Sequence, residues 1–339
     1  MCIRDRTTTP EFGWKALTDS AAFGITRNPH DPSKTSGGSS GGAAVAALMQ
    51  AGRLHLGSDG GGSIRVPASF CGIFGIKPSF GRVPAYPASS FGTVAHIGPM
   101  AASVADGLAM LKAMSGRDRR DWNQGAGQFP GLDTPPLSPK GLKIGYWRTP
   151  PSGALDEELG AVIDARIAAL AGQGAEISPF TLPGGELLEL FHDHWFSGAA
   201  TRLAGVPEAK RAGIDPGFLE IAAQGARMSA VQLVRAQVRR ADFGAAMDAA
   251  LADYDFILSP GTAIPAFEAG AEVPAGSGLT RWTEWAGFSY PINLSQQPAA
   301  VVPCGRTKAG LPLAMQIIGA RGDDGAVMAL AAALEALFA

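Results

Sequence analysis

Cysteine, histidine, net charge and long apolar runs are all scarce in this sequence of 339 residues, and each scarcity excludes something. The three cysteines, Cys2, Cys71 and Cys304, are odd in number, and no two have metal-ligand or redox spacing. No disulfide framework is implied, which fits a reducing, cytoplasmic location. Cys71 and Cys304 stand among apolar residues and glycine and read as small buried thiols. Of the five histidines, His30, His55, His96, His192 and His194, none lies in the last third of the chain. His192 and His194 are two apart in a helical stretch and point to different faces, which favours an ordinary helix surface over a metal site. The formal net charge of −2 leaves no electrostatic footprint for nucleic acid or an anionic membrane. The most apolar stretch, 326–339, is too short for a transmembrane helix and carries Glu335; it reads as an alanine- and leucine-rich helix packed on the core. No secretory signal is visible. Residues 1–6 match nothing in the rest of the chain and read as non-native read-through, so the natural chain is expected to begin before Thr7.

Glycine, by contrast, is abundant, with 45 residues, and it clusters with serine twice. The first cluster runs Ser36-Gly37-Gly38-Ser39-Ser40-Gly41-Gly42, the second Gly57-Ser58-Asp59-Gly60-Gly61-Gly62-Ser63-Ile64-Arg65. Glycine lets the backbone turn tightly and approach a ligand with no Cβ in the way. Consecutive N–H groups in such a turn converge on one negative charge. Ser39 and Ser63 are 24 positions apart, room for one helix and one strand.

Hydrophobic residues at 46% and charged residues at 17% mark an ordinary globular chain. Residues 42–52 read as a helix with Ser39 or Ser40 near its N-cap, 53–56 as a short strand, 73–76 as another, and 104–114 as a helix. Residues 116–140, rich in Arg, Asp, Gly and Pro, read as a surface connection. Beyond it, a strand at 142–147, an amphipathic helix at 156–171 with Leu159, Ile163, Ile167 and Leu170 on one face, and a strand near 174–177 form a βαβ pattern that predicts a parallel pair. Helices near 185–204 and 229–252 and strands at 256–258, 299–303 and 313–318 complete the chain. The alternation predicts an α/β fold with helices on both sheet faces.

Neither cluster has the lysine of a P-loop, and Asp59 would repel a dinucleotide pyrophosphate. Gly37-Gly38-Ser39-Ser40-Gly41 satisfies the nucleophile-elbow pattern literally, but residues 32–35 before it read as no strand, and a late histidine is missing. Trp282 and Trp285 lie in a loop-like stretch and read as packing, with pocket lining as the alternative. Two structural glycine turns would leave the recurrence of serine at the turn ends unexplained, as well as Asp59 and Arg65 flanking the second turn. Acyl-transfer chemistry accounts for both.

These residues resemble the amidase signature family. Its glycine–serine stretch corresponds to Gly37 through Gly42 and its nucleophile stretch to Gly57 through Ala68. Residues 70–78, 98–100, 297–305, 310–312 and 316–319 continue the likeness. The resemblance implies an amidase-signature fold with a central mixed sheet, as a single domain over 7–339 that lacks its N-terminal part. It implies a Ser–cis-Ser–Lys triad in which Ser63 attacks an amide carbonyl and Ser39, after a cis peptide bond from Gly38, relays the proton. Gly60, Gly61 and Gly62, with Ser63, would supply the oxyanion-hole N–H groups, and Ser40, Asp59 and Arg65 would support the site.

The family's lysine lies in a Val-x-Val-Lys-Asp-like strand well before the first cluster, whereas this chain has only Lys15 and Lys34 before Ser39. Neither these nor Lys77, which matches a structural lysine, is assigned as the base, so the chain as given is expected to be inactive or nearly so. The resemblance implies no metal and no organic cofactor, a small-molecule amide as substrate, no direct nucleic-acid or membrane partner, and compatibility with a homodimer. The activity implied is hydrolysis of a linear carboxylic amide to acid and ammonia or amine. The alternative is the amidase-type subunit of a glutamine-dependent tRNA amidotransferase; an inactive homologue used as a binding module is a third. Thr93-Val94-Ala95-His96-Ile97 stands where that subunit commonly has an aspartate-containing stretch, which favours a stand-alone amidase.

Overall fold

The computed structural model describes residues 7–124, 129–135 and 137–339. Residues 1–6, whose sequence reads as non-native, and part of the 116–140 connection lie outside the described residues. Two small ribbons come first, β1 (Asp19–Ser20) with β2 (Gly24–Ile25) and β3 (Arg27–Asn28) with β4 (Asp31–Thr35). Then come helix α1 (Gly41–Leu48), strand β5 (His55–Asp59), helix α2 (Arg65–Cys71), strands β6 (Phe74–Lys77) and β7 (His96–Ala101), and helix α3 (Val104–Met114). The middle of the chain forms β8 (Lys143–Tyr146), α4 (Glu157–Gly172), β9 (Glu176–Pro179), α5 (Leu187–Ala204), α6 (Pro216–Gly225) and α7 (Ala230–Leu251). The chain closes with β10 (Phe256–Pro260), α8 (Trp282–Trp285), α9 (Tyr290–Ser295), β11 (Ala299–Arg306), β12 (Pro312–Ile318) and α10 (Asp324–Phe338).

One mixed sheet of eight strands carries the fold, in the order β5-β7-β6-β11-β12-β10-β8-β9. β8 pairs parallel with both β9 and β10, as the βαβ pattern predicts, and the remaining neighbours are antiparallel. Side chains alternate across a strand, so each buried strand feeds two cores. Ile257 of β10 joins the aromatic-rich core that α5 to α9 cover, while Phe256 and Leu258 join the aliphatic core beneath α3, α4 and α10. Helices therefore lie on both faces of the sheet, as predicted.

Local chemistry places the helix ends. Asp156 caps α4 by accepting from the Leu159 N–H at 2.9 Å, and Leu159, Ile163, Ile167 and Leu170 are all buried on one face. Ser229 and Gln232 form a reciprocal capping box at the start of α7. The stretch 326–339 forms most of α10, packed on the core as expected.

Four expectations need correction. Residues 32–35 do form a strand, β4, because an outer two-stranded ribbon asks Pro32 for no ladder N–H; Thr35 also donates its N–H to the Phe267 carbonyl at 2.7 Å. The strand read at 53–56 begins at His55 and runs on to Asp59. Trp282 and Trp285 sit in α8, buried in the aromatic core rather than in a loop. The described residues of the 116–140 segment form no helix or strand, but they are not wholly superficial: Asp121 is buried and accepts the Ala85 N–H at 2.8 Å.

Candidate active site

β5 delivers Asp59 to the mouth of the glycine turn, and the turn hands the chain to α2. Asp59 is fully buried, and its carboxylate organises the turn. One oxygen accepts the Gly62 N–H at 2.8 Å; the other accepts the N–H groups of Ile64 at 3.2 Å and Arg65 at 3.4 Å. The Arg65 guanidinium grips the same carboxylate through Nε at 3.0 Å and Nη2 at 2.9 Å. Asn293 of α9 donates to the Asp59 side chain at 2.9 Å and main-chain carbonyl at 2.8 Å, while Gln316 of β12 accepts from Arg65 Nη1 at 2.8 Å. Burial opposes ionisation of Asp59, but the Arg65 charge and these hydrogen bonds outweigh it and hold the carboxyl well below the usual carboxylate range.

The glycines are dictated by what lies behind the turn. A methyl group at Gly60 would sit 2.7 Å from the Trp195 ring, and one at Gly61 2.7 Å from Phe191 and 2.8 Å from Trp282. Gly62 combines a φ of +126° with a Cβ position 2.6 Å from Ser289. The N–H groups of Gly60, Gly61 and Ser63 have no protein partner among the described residues. Gly62, expected among the oxyanion donors, has its N–H bonded to Asp59 instead, so that donor set loses one member.

The first cluster folds against the second. The Gly38–Ser39 peptide bond is cis. Thr18 accepts the Gly41 N–H at 3.0 Å and donates to the Gly37 carbonyl at 2.9 Å, bracketing the cis bond. Gly38 is pressed onto Leu17, whose carbonyl oxygen would lie 2.2 Å from any Cβ there. Ser40 joins the two clusters: its N–H donates to the Ser63 carbonyl at 3.2 Å, and its hydroxyl bonds both main-chain groups of Ser58.

Ser39 and Ser63 line one cavity of about 210 Å³, walled by Phe12, Phe80, Phe91 and Trp195. Neither hydroxyl has a protein hydrogen bond among the described residues. Lys15 is engaged by Asp19 at 2.5 Å and Asp215 at 2.8 Å, and Lys34 by Glu268 at 2.9 Å. Lys77 is fully buried and donates to the carbonyls of Gln297 and Pro78. Burial pushes its ammonium well below its ordinary value, with the Arg65 charge adding to the effect. His192 bonds Thr283 at 2.9 Å and His194 is buried, so the two do point apart, and no cluster of metal-ligating residues occurs among the described residues.

Thr18, Asn293 and Gln316 were not singled out from the sequence as site residues. Gln316 stood in a stretch of family likeness; Thr18 and Asn293 carried no local signal, because their partners lie 19 to 23 and 234 positions away in the chain.

A mixed sheet carrying paired serine turns behind a buried Asp–Arg clamp is the architecture of the amidase class of hydrolases. The profile of the Amidase family matches residues 2–328, and the chain belongs to that family. It is 32% identical to a glutamyl-tRNA(Gln) amidotransferase subunit of Koribacter versatilis (strain Ellin345), over 98% of this chain and 74% of that one. It is 33% identical to an acylamidase of Rhodococcus erythropolis, over 98% and 71% of the two chains. Among solved structures, 6-aminohexanoate cyclic dimer hydrolase superposes with a TM-score of 0.87 at 26% identity, covering 98% of this chain and 74% of the other. A bacterial aryl acylamidase of the amidase signature family gives 0.85 at 27%, covering 97% and 71%.

Proposed function

We propose that this protein is an amide hydrolase that forms an acyl-enzyme at Ser63. The observation that carries the reading is the meeting of Ser39 and Ser63 in one cavity, beside a turn whose Gly60 and Gly61 N–H groups are unspent. Ser63 Oγ attacks the carbonyl carbon, and the oxyanion collects at the N–H groups of Gly60, Gly61 and Ser63; one such donor is worth about 3 kcal/mol of barrier. Ser39 passes the Ser63 proton to a base and returns it to the leaving nitrogen, after which water releases the acid.

The catalytic lysine is the missing element. Each of Lys15, Lys34 and Lys77 is committed elsewhere, so the 339-residue chain is expected to turn over amides only slowly. The aromatic walls support an uncharged linear amide with an apolar or aryl group as substrate, in keeping with the acylamidase and aryl acylamidase relatives. Two buried free thiols support a cytoplasmic setting. A role within an amidotransferase complex is the second reading, favoured by the Koribacter versatilis relative; glutaminase activity appearing only with partner proteins would establish it.

The test is acetanilide hydrolysis across pH 7 to 10. Hydroxide substitutes for the absent base, so slow turnover that rises with pH and disappears in Ser63→Ala is expected. Turnover that survives Ser63→Ala overturns the assignment, and fast turnover at pH 7 overturns the claim that the base is missing.

A further inference from the structure

A second cavity, of about 780 Å³, lies against the first, and Phe91 and Gly92 line both. Phe91 is held in that partition by stacking on Trp195 with ring centroids 4.0 Å apart, and by Gly198, where a Cβ would fall 2.6 Å from its ring. The two cavities differ in character. The first has aromatic walls around two serines, whereas the second is lined by Arg240, Arg321, Asp248, His194 and Gln237.

The charges there do not cancel. Arg321 pairs with Asp248, but Arg240 has no carboxylate within ion-pair distance among the described residues. Its guanidinium is held by neutral oxygens only: Nε donates to the Leu294 carbonyl at 2.8 Å, Nη1 to the Thr93 hydroxyl at 2.6 Å, and Nη2 to the carbonyls of Thr93 at 3.0 Å and Asn293 at 3.3 Å. Leu294 and Asn293 belong to the last turn of α9, a helix end that favours a cation but does not neutralise a full charge. A guanidinium has five N–H groups, and these contacts use four, which leaves one on Nη1. Burial lowers the guanidinium to about 10, so it stays charged at neutral pH. His194 is kept neutral first by burial and then by Arg240, and adds no second free cation.

We propose that this second cavity is a carboxylate-binding subsite centred on Arg240, positioned one side chain away from the serine cavity. A carboxylate takes the remaining Nη1 N–H, supplies the missing counter-charge, and meets the Gln237 amide across the cavity. That the natural ligand is an acid of the kind amide hydrolysis releases rests on the hydrolase reading; the anion site itself does not.

The test is titration calorimetry of Ser63→Ala protein with sodium benzoate at constant ionic strength. Benzamide is the uncharged counterpart. Saturable benzoate binding is expected, weakened at least tenfold by Gln237→Glu, which adds a negative charge at an exposed side chain of the second cavity, while benzamide binding is unchanged by that substitution. Arg240→Gln is expected to abolish benzoate binding; should it fail to fold, Gln237→Glu decides alone. Absence of benzoate binding, or benzoate binding indifferent to Gln237→Glu, overturns the proposal. Because Ser63 is absent from the measurement, failure of the acyl-serine reading would leave this result standing, and the reverse also holds.

Discussion

Asp59 and Arg65 form a two-point ion pair from which solvent is excluded, both side chains being 0% exposed. The same carboxylate accepts three main-chain N–H groups of the turn that presents Ser63. One buried charge pair thus sets both the local fold and the geometry of the site.

Breaking that pair from one side leaves an uncompensated buried charge. Asp59→Asn or Arg65→Leu is expected to cost about 3–5 kcal/mol, read as a lower denaturant midpoint. A loss below about 1 kcal/mol would show that the turn does not depend on the pair.

Gly61→Ala pushes a methyl group into Phe191 and Trp282. Overpacking of this kind costs about 1–3 kcal/mol, and the turn must move, so slow amide turnover should fall with it. Gly244→Ala, in α7 with open space at the Cβ position, is the contrast and should stabilise by up to about 1 kcal/mol. Equal thermal shifts for the two variants would refute the packing account of the glycine turn.

Acid should destabilise the fold well before Asp59 titrates. Burial holds His192 and His194 at about 4, with the Arg281 and Arg240 charges contributing, and burial with the Lys77 charge pushes His96 well below its ordinary value. In the unfolded chain these groups take up protons near pH 6.5, so between about 6.5 and 4 the unfolded state binds more protons and stability falls as pH falls. The loss is up to about 1.4 kcal/mol per pH unit for each histidine. Asp59 acts with the same sign in a lower window: its folded value is also depressed, so its contribution is full above the unfolded value near 4 and is lost only as pH drops further. Melting temperatures at pH 7, 6 and 5 should decline steadily; a flat profile would mean that the histidines are protonated in the fold.

Cys71 and Cys304 are fully buried, and burial pushes both thiols up to about 12. Neither should react with iodoacetamide in the native protein at pH 8, whereas both should be alkylated in urea, as peptide mass mapping would show. Native labelling of either cysteine would mean that its surroundings open.

Much of the organisation was legible because it rests on local patterns. The βαβ unit over β8, α4 and β9 arises from a capped, one-sided apolar helix between two short apolar runs. The serine clusters stand out because serine recurs among consecutive glycines, of which Gly60 and Gly61 are packed against ring systems. Two features rest on individual hydrogen bonds that composition and periodicity do not reveal. The strand at Asp31–Thr35 exists through pairing with Arg27 and Asn28, against the propensity of Pro32. Gly62 has the composition of a free N–H donor, but Asp59, three residues earlier, turns back and takes that N–H.

The residue types of the site, two serines, an aspartate and an arginine among glycines, are properties of the sequence alone. So is the shortage of lysine before Ser39. The tertiary structure decided which of their groups are free. Hydrogen bonding is saturable and directional, so whether an N–H or an ammonium is available depends on what sits within about 3 Å of it. Asn293 of α9 and Gln316 of β12 claim the clamp from distant elements, and Thr18, in the loop before β1, claims the cis turn. Asp215, Glu268 and the Gln297 carbonyl claim Lys15, Lys34 and Lys77, so none of these three lysines is free to serve Ser39 and Ser63, which share the cavity.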